Sequence, residues 1–226
     1  MPSSINLSQL SEVLGATLRS FVSSQNISLI RGFSTDTRSI KNGDVFVALR
    51  GSNFDGHEFV QSAVAKGAIA VVTDRDVSTE LGEGIPQLVV KDTLQAYQAI
   101  AQWWRSQFTI PVIGVTGSFG KTTTKELIAA VLGTQGKVLK TQANYNNEIG
   151  VPKTLLELNL DDDFAVIEMA MRGRGEIALL SQIARPEIGV ITNVGTAHIG
   201  RLGSEEAIAQ AKCELLVEMP RDSVAI

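Results

Sequence analysis

One stretch constrains the fold more than any other: residues 111–124, reading PVIGVTGSFGKTTT. The apolar run Val112-Ile113-Gly114-Val115 breaks into Thr116-Gly117-Ser118-Phe119-Gly120-Lys121-Thr122-Thr123, and a helix-forming segment follows at once. Strand, glycine loop, lysine, hydroxyl and helix make a phosphate-binding unit. The glycines let backbone N–H groups converge on phosphate oxygens, and the helix N-terminus adds partial positive charge. Lys121 would meet the outer phosphates, and Thr122 would offer its hydroxyl to Mg²⁺. The spacing is tighter than in the common P-loop, which has glycine where Val115 stands. The alternative is a glycine-rich strand-to-helix turn with an exposed lysine. Strand and helix both lie where the phosphate motif requires them, which favours the first reading.

Around this unit the chain alternates. Strands are predicted at 112–115, 138–141, 164–169 and 188–194, and helices at 123–132, 151–158, 175–184 and 204–219. Nearly continuous apolar strands alternating with helices specify a parallel sheet covered on both faces. Ahead of it, Leu7, Leu10, Leu14 and Leu18 recur at helical spacing with Ser8 as cap. Asn42-Gly43 marks a turn before a strand at 45–49. A glycine- and asparagine-bearing loop at 50–57, a helix at 58–66 and a strand at 69–73 come next. After a loop at 79–86 and a strand at 88–90, Asp92 is expected to cap a helix running to about residue 107. The fold class is α/β. Residues 1–108 form a small N-terminal α/β substrate domain, and 109–226 a parallel-sheet P-loop ATPase domain. The second is expected to be incomplete, because 223–226 begin another strand with no closing helix.

Composition narrows the function. Net charge is −4, so a nonspecific nucleic-acid or membrane surface is not expected, and an anionic ligand must be met by a local site. A single cysteine, Cys213, excludes an internal disulfide and fits a reducing compartment. No signal segment and no run of membrane-spanning length is found, so a cytoplasmic protein is expected; a monomer is expected too, though nothing in the sequence gives the oligomeric state.

In a parallel sheet, ligands gather beyond the carboxyl ends of the strands. Glu168 interrupts the apolar run 164–170 at such an end, where an unpaired carboxylate costs several kcal/mol. A Mg²⁺ bound with ATP would compensate it; an ion pair with Arg172 or Arg174 is the alternative. His198 lies one loop beyond Ile191-Thr192-Asn193-Val194, as a ligand or as a structural histidine. Lys212 shares the inward face of its helix with Ile208, Ala211, Leu215, Leu216 and Met219. Desolvated there, its amine would lose basicity and could take up CO₂ as a carbamate; snorkelling to the helix edge is the bland alternative. Asn144, Asn146 and Asn147 crowd the loop before Val151, either to form turns or to bond a polar substrate.

Together these residues resemble the Mur ligases, the ATP-dependent amide-forming enzymes of peptidoglycan assembly. The likeness covers the whole chain. Its first part is Asp36-Thr37-Arg38, residues 42–51 (NGDVFVALRG) and Asp55-Gly56-His57-Glu58-Phe59. Its second is 116–123, Glu168, 193–198 and Lys212. The string 144–156, Gly175-Glu176-Ile177 and Ala197-His198-Ile199 are similar to the member that adds D-alanyl-D-alanine to UDP-N-acetylmuramoyl-tripeptide. The resemblance implies that Gly117, Ser118, Phe119, Gly120, Lys121, Thr122 and Thr123 cradle ATP, with Lys121 on the γ-phosphate. It implies that Thr122, Glu168, His198 and a carbamylated Lys212 serve Mg²⁺, and that Asp36, Thr37 and Arg38 bind the uridine end. The family's third domain is not in this stretch, so the resemblance implies no turnover by the stretch alone. Three other readings stay open: a sibling or folate-type amide ligase, a P-loop phosphotransferase or nucleotide switch, and a binding module without turnover.

Overall fold

Asn6 opens the first helix. Its side chain accepts the Gln9 amide while the Gln9 side chain accepts the Asn6 amide, so a capping box starts α1 (Leu7–Leu14). Ser8, the expected cap, lies inside the helix instead. Gly15, at φ 55°, ends it by donating to the Ser11 and Glu12 carbonyls. Leu18, counted on the helical stripe, therefore falls in a strand, β1 (Thr17–Arg19). The structure, a computed structural model, describes residues 5–19, 29–81, 84–197 and 199–226. The chain packs as two units, Met1–Trp103 and Trp104–Ile226.

The first unit continues through β2 (Gly32–Ser34), β3 (Asp44–Val47), β4 (Arg50–Gly51) and β5 (Phe54–Asp55). A 3-10 turn (Gly56–Phe59), α2 (Val60–Ala65), β6 (Ala70–Thr73), α3 (Ser78–Leu81), β7 (Gln87–Val89) and α4 (Thr93–Ser106) follow. The sheet runs β1-β7-β6-β3-β2, parallel except where β1 lies antiparallel on β7. Every residue of β3 and β6 is buried, as expected of central strands covered on both faces. Phe46, Val60, Ala63, Val71, Val77 and Leu81 share one core cluster. Asp92 accepts the Leu94 and Gln95 amides and caps α4 as the sequence predicts. The expected loop at 50–57 contains the β4–β5 hairpin, and the expected loop at 79–86 begins within α3. Both elements are too short to show a hydrophobic period.

The second unit runs β8 (Val112–Thr116), α5 (Lys121–Leu132), β9 (Val138–Lys140), α6 (Gly150–Leu155) and β10 (Phe164–Glu168). Then come α7 (Glu176–Ala184), β11 (Ile188–Ile191), α8 (Ile199–Leu202), α9 (Glu205–Glu218) and β12 (Val224–Ala225). Its sheet, β12-β11-β8-β10-β9, is parallel throughout. Glu168 pairs in register with Val115 and Ile191 with Thr116, so the loops leaving β8, β10 and β11 share one rim. Below it, Ile113, Val115, Ala129, Val166 and Val190 pack as one cluster. Strand β11 stops three residues short of the expected Val194, because the backbone there turns to bond the glycine loop at Ser118. Buried Arg105 ties the base of the unit together: Nε donates to Ala184 O (3.0 Å), Nη1 to Phe108 O (2.7 Å) and Nη2 to Glu187 Oε1 (2.9 Å). No helix among the described residues is long and apolar enough to cross a membrane.

Candidate active site

Strand β8 delivers the chain into the glycine loop, and α5 leaves it at Lys121. Gly117 has φ 150°, and a Cβ built on it would lie 1.9 Å from Thr192 Oγ1, so only glycine fits there. Gly120 is the N-cap of α5 and supplies no side-chain cap, which leaves the first amides of the helix as open donors. The Ser118 and Phe119 amides are engaged otherwise: Ser118 N donates to Asn193 O (3.1 Å) and Phe119 N to Asn193 Oδ1 (3.0 Å). Of the residues expected to cradle phosphate, those with open amides therefore lie at the helix start. The Lys121 ammonium folds back onto its own loop, donating to Gly117 O at 2.8 Å.

Glu168 ends β10 at 2% exposure. Its two oxygens accept from Thr122 Oγ1 (2.9 Å) and Asn146 Nδ2 (2.8 Å), and its amide donates to Thr141 Oγ1 (2.9 Å). No cation pairs with it among the described residues. Arg174 instead donates to Gln210, and the Arg172 amide to Glu176. The three asparagines divide their work. Asn146 holds Glu168, Asn147 closes the turn into α6 by accepting the Gly150 amide (2.9 Å), and Asn144 is exposed.

A second buried lysine escaped the sequence reading. Lys125, 2% exposed on α5, donates to Thr141 O (2.7 Å) and pairs with Glu126 (3.0 Å). Thr141 thus links Lys125 to Glu168. The signal was available, since Lys125 stands one helical turn before buried Ala129, the same i, i+4 argument that marked Lys212.

Lys212 is also 2% exposed and does not snorkel. Ile208, Ala211 and Leu215 flank it in the core, whereas Leu216 on the expected stripe is 36% exposed. Burial, aided by the Lys121 ammonium, brings its pKa down to about 8. His198 lies outside the described residues. Among the described residues, no three His, Cys, Asp or Glu side chains cluster as a ready-made metal cage. The donors present still suit a hard cation: one buried carboxylate without a counter-charge among the described residues, and one hydroxyl.

The first unit carries its own cavity, about 370 Å³, lined by Thr35, Asp36, Thr37, Arg38, Phe46, Phe54 and Phe59. Asp36 and Arg38 are paired at 2.6 Å. Phe54 and Phe59 stack with centroids 5.3 Å apart and rings 20° from parallel, and both keep an exposed face. Neither was given a binding role from the sequence, because their approach depends on the β4–β5 hairpin. Fully buried His57 secures that hairpin. Its Nδ1 bonds Asp55 (2.6 Å), and its Nε2 accepts the Asp74 amide (3.1 Å). Desolvation opposes the Asp55 carboxylate, but the His57 amide and ring and the Arg75 guanidinium hold it well below the usual carboxylate range.

Residues 115–226 match the Mur ligase middle domain, and residues 29–105 match the catalytic domain of the Mur ligase family. The chain belongs to the Mur ligase family. Among individual Mur ligases, the UDP-N-acetylmuramoyl-tripeptide–D-alanyl-D-alanine ligase of Synechocystis sp. is 62% identical over 226 residues, covering 100% of this chain and 50% of that protein. Its Bacillus subtilis counterpart is 46% identical, over 88% of this chain and 43% of that protein. A crystal structure of MurF from Acinetobacter baumannii superposes with a TM-score of 0.87 at 36% identity, over 96% of this chain and 47% of that one. A MurF ligase from Thermotoga maritima, solved in complex with ADP, gives 0.79 at 35% identity, over 86% of this chain and 45% of that one. The chain spans about half the length of the curated relatives it matches.

Proposed function

We propose that this chain provides the nucleotide-sugar and ATP sites of a ligase joining D-alanyl-D-alanine to UDP-N-acetylmuramoyl-tripeptide. The observation that carries the ATP site is Glu168, a buried carboxylate without a paired cation among the described residues, joined by the Thr122 hydroxyl to the helix start whose amides are open. The names of the relatives support the choice of substrates. On this reading the domain boundary falls near residue 108, and Asp36, Thr37, Arg38 and the exposed ring faces of Phe54 and Phe59 receive the uridine end.

A carboxylate does not acylate an amine at neutral pH, because resonance removes its electrophilicity. The substrate carboxylate oxygen therefore attacks the γ-phosphorus of ATP, the bond to the β-bridging oxygen breaks, and ADP leaves an acyl phosphate. The D-alanyl-D-alanine amine then attacks the acyl carbon, loses its proton and expels inorganic phosphate. Lys121, released from the Gly117 carbonyl, balances the charge moving with the phosphoryl group. The amides at the start of α5 hold the phosphates in line. Thr122 and Glu168 would hold Mg²⁺, whose chemistry is to neutralise the phosphate oxygens. His198 would hold metal with Glu168, and a carbamylated Lys212 would serve a second metal position. Lowered basicity suits Lys212 for the carbamate role: its neutral Nζ bonds to the carbon of CO₂ and releases one proton. No protein nucleophile is needed.

The test uses the chain extended to the length of its relatives. Phosphate release from ATP should require both the UDP-linked tripeptide and D-alanyl-D-alanine, and Lys121→Ala should abolish it. Release that ignores the amine would mark a phosphotransferase or a hydrolase instead.

A further inference from the structure

The loop after β11 touches the phosphate loop more extensively than packing alone requires. Asn193 grips the Phe119 backbone from both sides: Oδ1 accepts its N–H (3.0 Å) and Nδ2 donates to its carbonyl (3.0 Å). The Thr192 hydroxyl donates to the same carbonyl at 2.6 Å. Ser118 N donates to Asn193 O (3.1 Å), and Ser118 Oγ both accepts from Gly195 N (2.9 Å) and donates to Gly195 O (3.2 Å). Gly117 lacks the Cβ that would displace Thr192 from this arrangement.

These contacts have an electrostatic consequence. A carbonyl at the crown of a phosphate loop repels the ligand if its oxygen turns inward. Two donors hold the Phe119 oxygen, and the Ser118 and Phe119 amides are withdrawn from service. What remains open is the amide set at the start of α5, where the helix dipole also favours an anion. We propose that Asn193, assisted by Thr192, is a positioning residue that holds the Phe119 carbonyl outward and keeps the phosphate loop in its binding shape before nucleotide arrives. The latch acts through the loop, not on the reacting atoms, and it lowers the ordering entropy left for the binding step. This inference rests on the ATP site proposed above.

The experiment compares wild type with Asn193→Ala, Thr192→Val and Thr192→Ser in the chain extended to the length of its relatives. Calorimetry measures ADP with Mg²⁺ and, separately, UDP; hydrogen exchange follows the Ser118 and Phe119 amides. Asn193→Ala should weaken ADP about tenfold and raise exchange at both amides by a similar factor, leaving UDP unchanged. Thr192→Val should give a smaller loss of the same kind, and Thr192→Ser, which keeps the hydroxyl, should behave as wild type. Wild-type ADP affinity in Asn193→Ala overturns the latch, and so does a parallel loss of UDP binding, which would mark a general folding defect. Should Asn193→Ala not fold, Thr192→Val decides by the same criteria. If wild type takes up no ADP while its amides are protected and the variant's are not, the ATP reading falls and the latch stands as a loop-shaping contact.

Discussion

The cavity of the first unit and the rim of the second occupy the same position on their sheets, beyond the carboxyl ends of parallel strands. They are made of opposite materials. Around the first, charges are already matched: Asp36 with Arg38, and Asp55 with Arg75. What it offers a ligand is a ring stack and a shaped hollow. At the second, Glu168 and Lys212 are buried and neither has an opposite charge beside it among the described residues. Matched charges cost the empty protein little, and such a site selects by shape and stacking. Unmatched buried charges destabilise the empty protein until a ligand brings the counter-charge, so such a site selects by charge.

The sharpest way to break this contrast is Glu168→Ala. In the chain extended to its relatives' length, turnover should fall by about a thousandfold or more, measured as amine-dependent phosphate release. UDP binding at the first unit should not change. Retained turnover would show that the buried carboxylate is structural. Arg105→Ala tests whether matched charge within the second unit is purely architectural. It strands the Phe108 and Ala184 carbonyls and should cost about 3 kcal/mol in urea unfolding.

Lys212→Met sharpens the contrast from the other side. The folded pKa, about 8, lies below the model-compound value of 10.5, so the unfolded chain binds more protons between those two values. Stability should therefore rise with pH across that window, and below it the penalty is fully present. Lys212→Met should remove both the penalty and the pH dependence, making the empty protein more stable at pH 7 while abolishing turnover. A destabilised variant would contradict the unmatched-charge account. The smallest expected effect is Phe54→Ala: UDP affinity should fall about tenfold with Mg²⁺-ADP affinity unchanged, since one stacking face is lost.

Periodicity and local chemistry made much of this legible without a structure. The glycine loop between strand and helix, the strand–helix alternation of the second unit and the Asp92 cap are all local patterns, and each is present in the structure, β11 stopping short of its expected end. The burial of Glu168 follows from its place in a continuous apolar run, and that of Lys212 from the helix period. Short elements were missed because two to four residues carry no period; β4, β5 and α3 are of this kind.

Pairings across long sequence separations could not be read at all. Glu168 turned out to bond Thr122 and Asn146 rather than an arginine, Asn193 to seize Phe119, and His57 to pin a hairpin against Asp74. By itself the sequence determined that a phosphate loop would sit at the head of a parallel sheet, because strand, glycine turn and helix start are consecutive in the chain. Only the tertiary structure decided which amides face the ligand and which charges remain unmatched. Those outcomes depend on the register that brings the ends of β8, β10 and β11 to one rim, and register is a property of packing between segments.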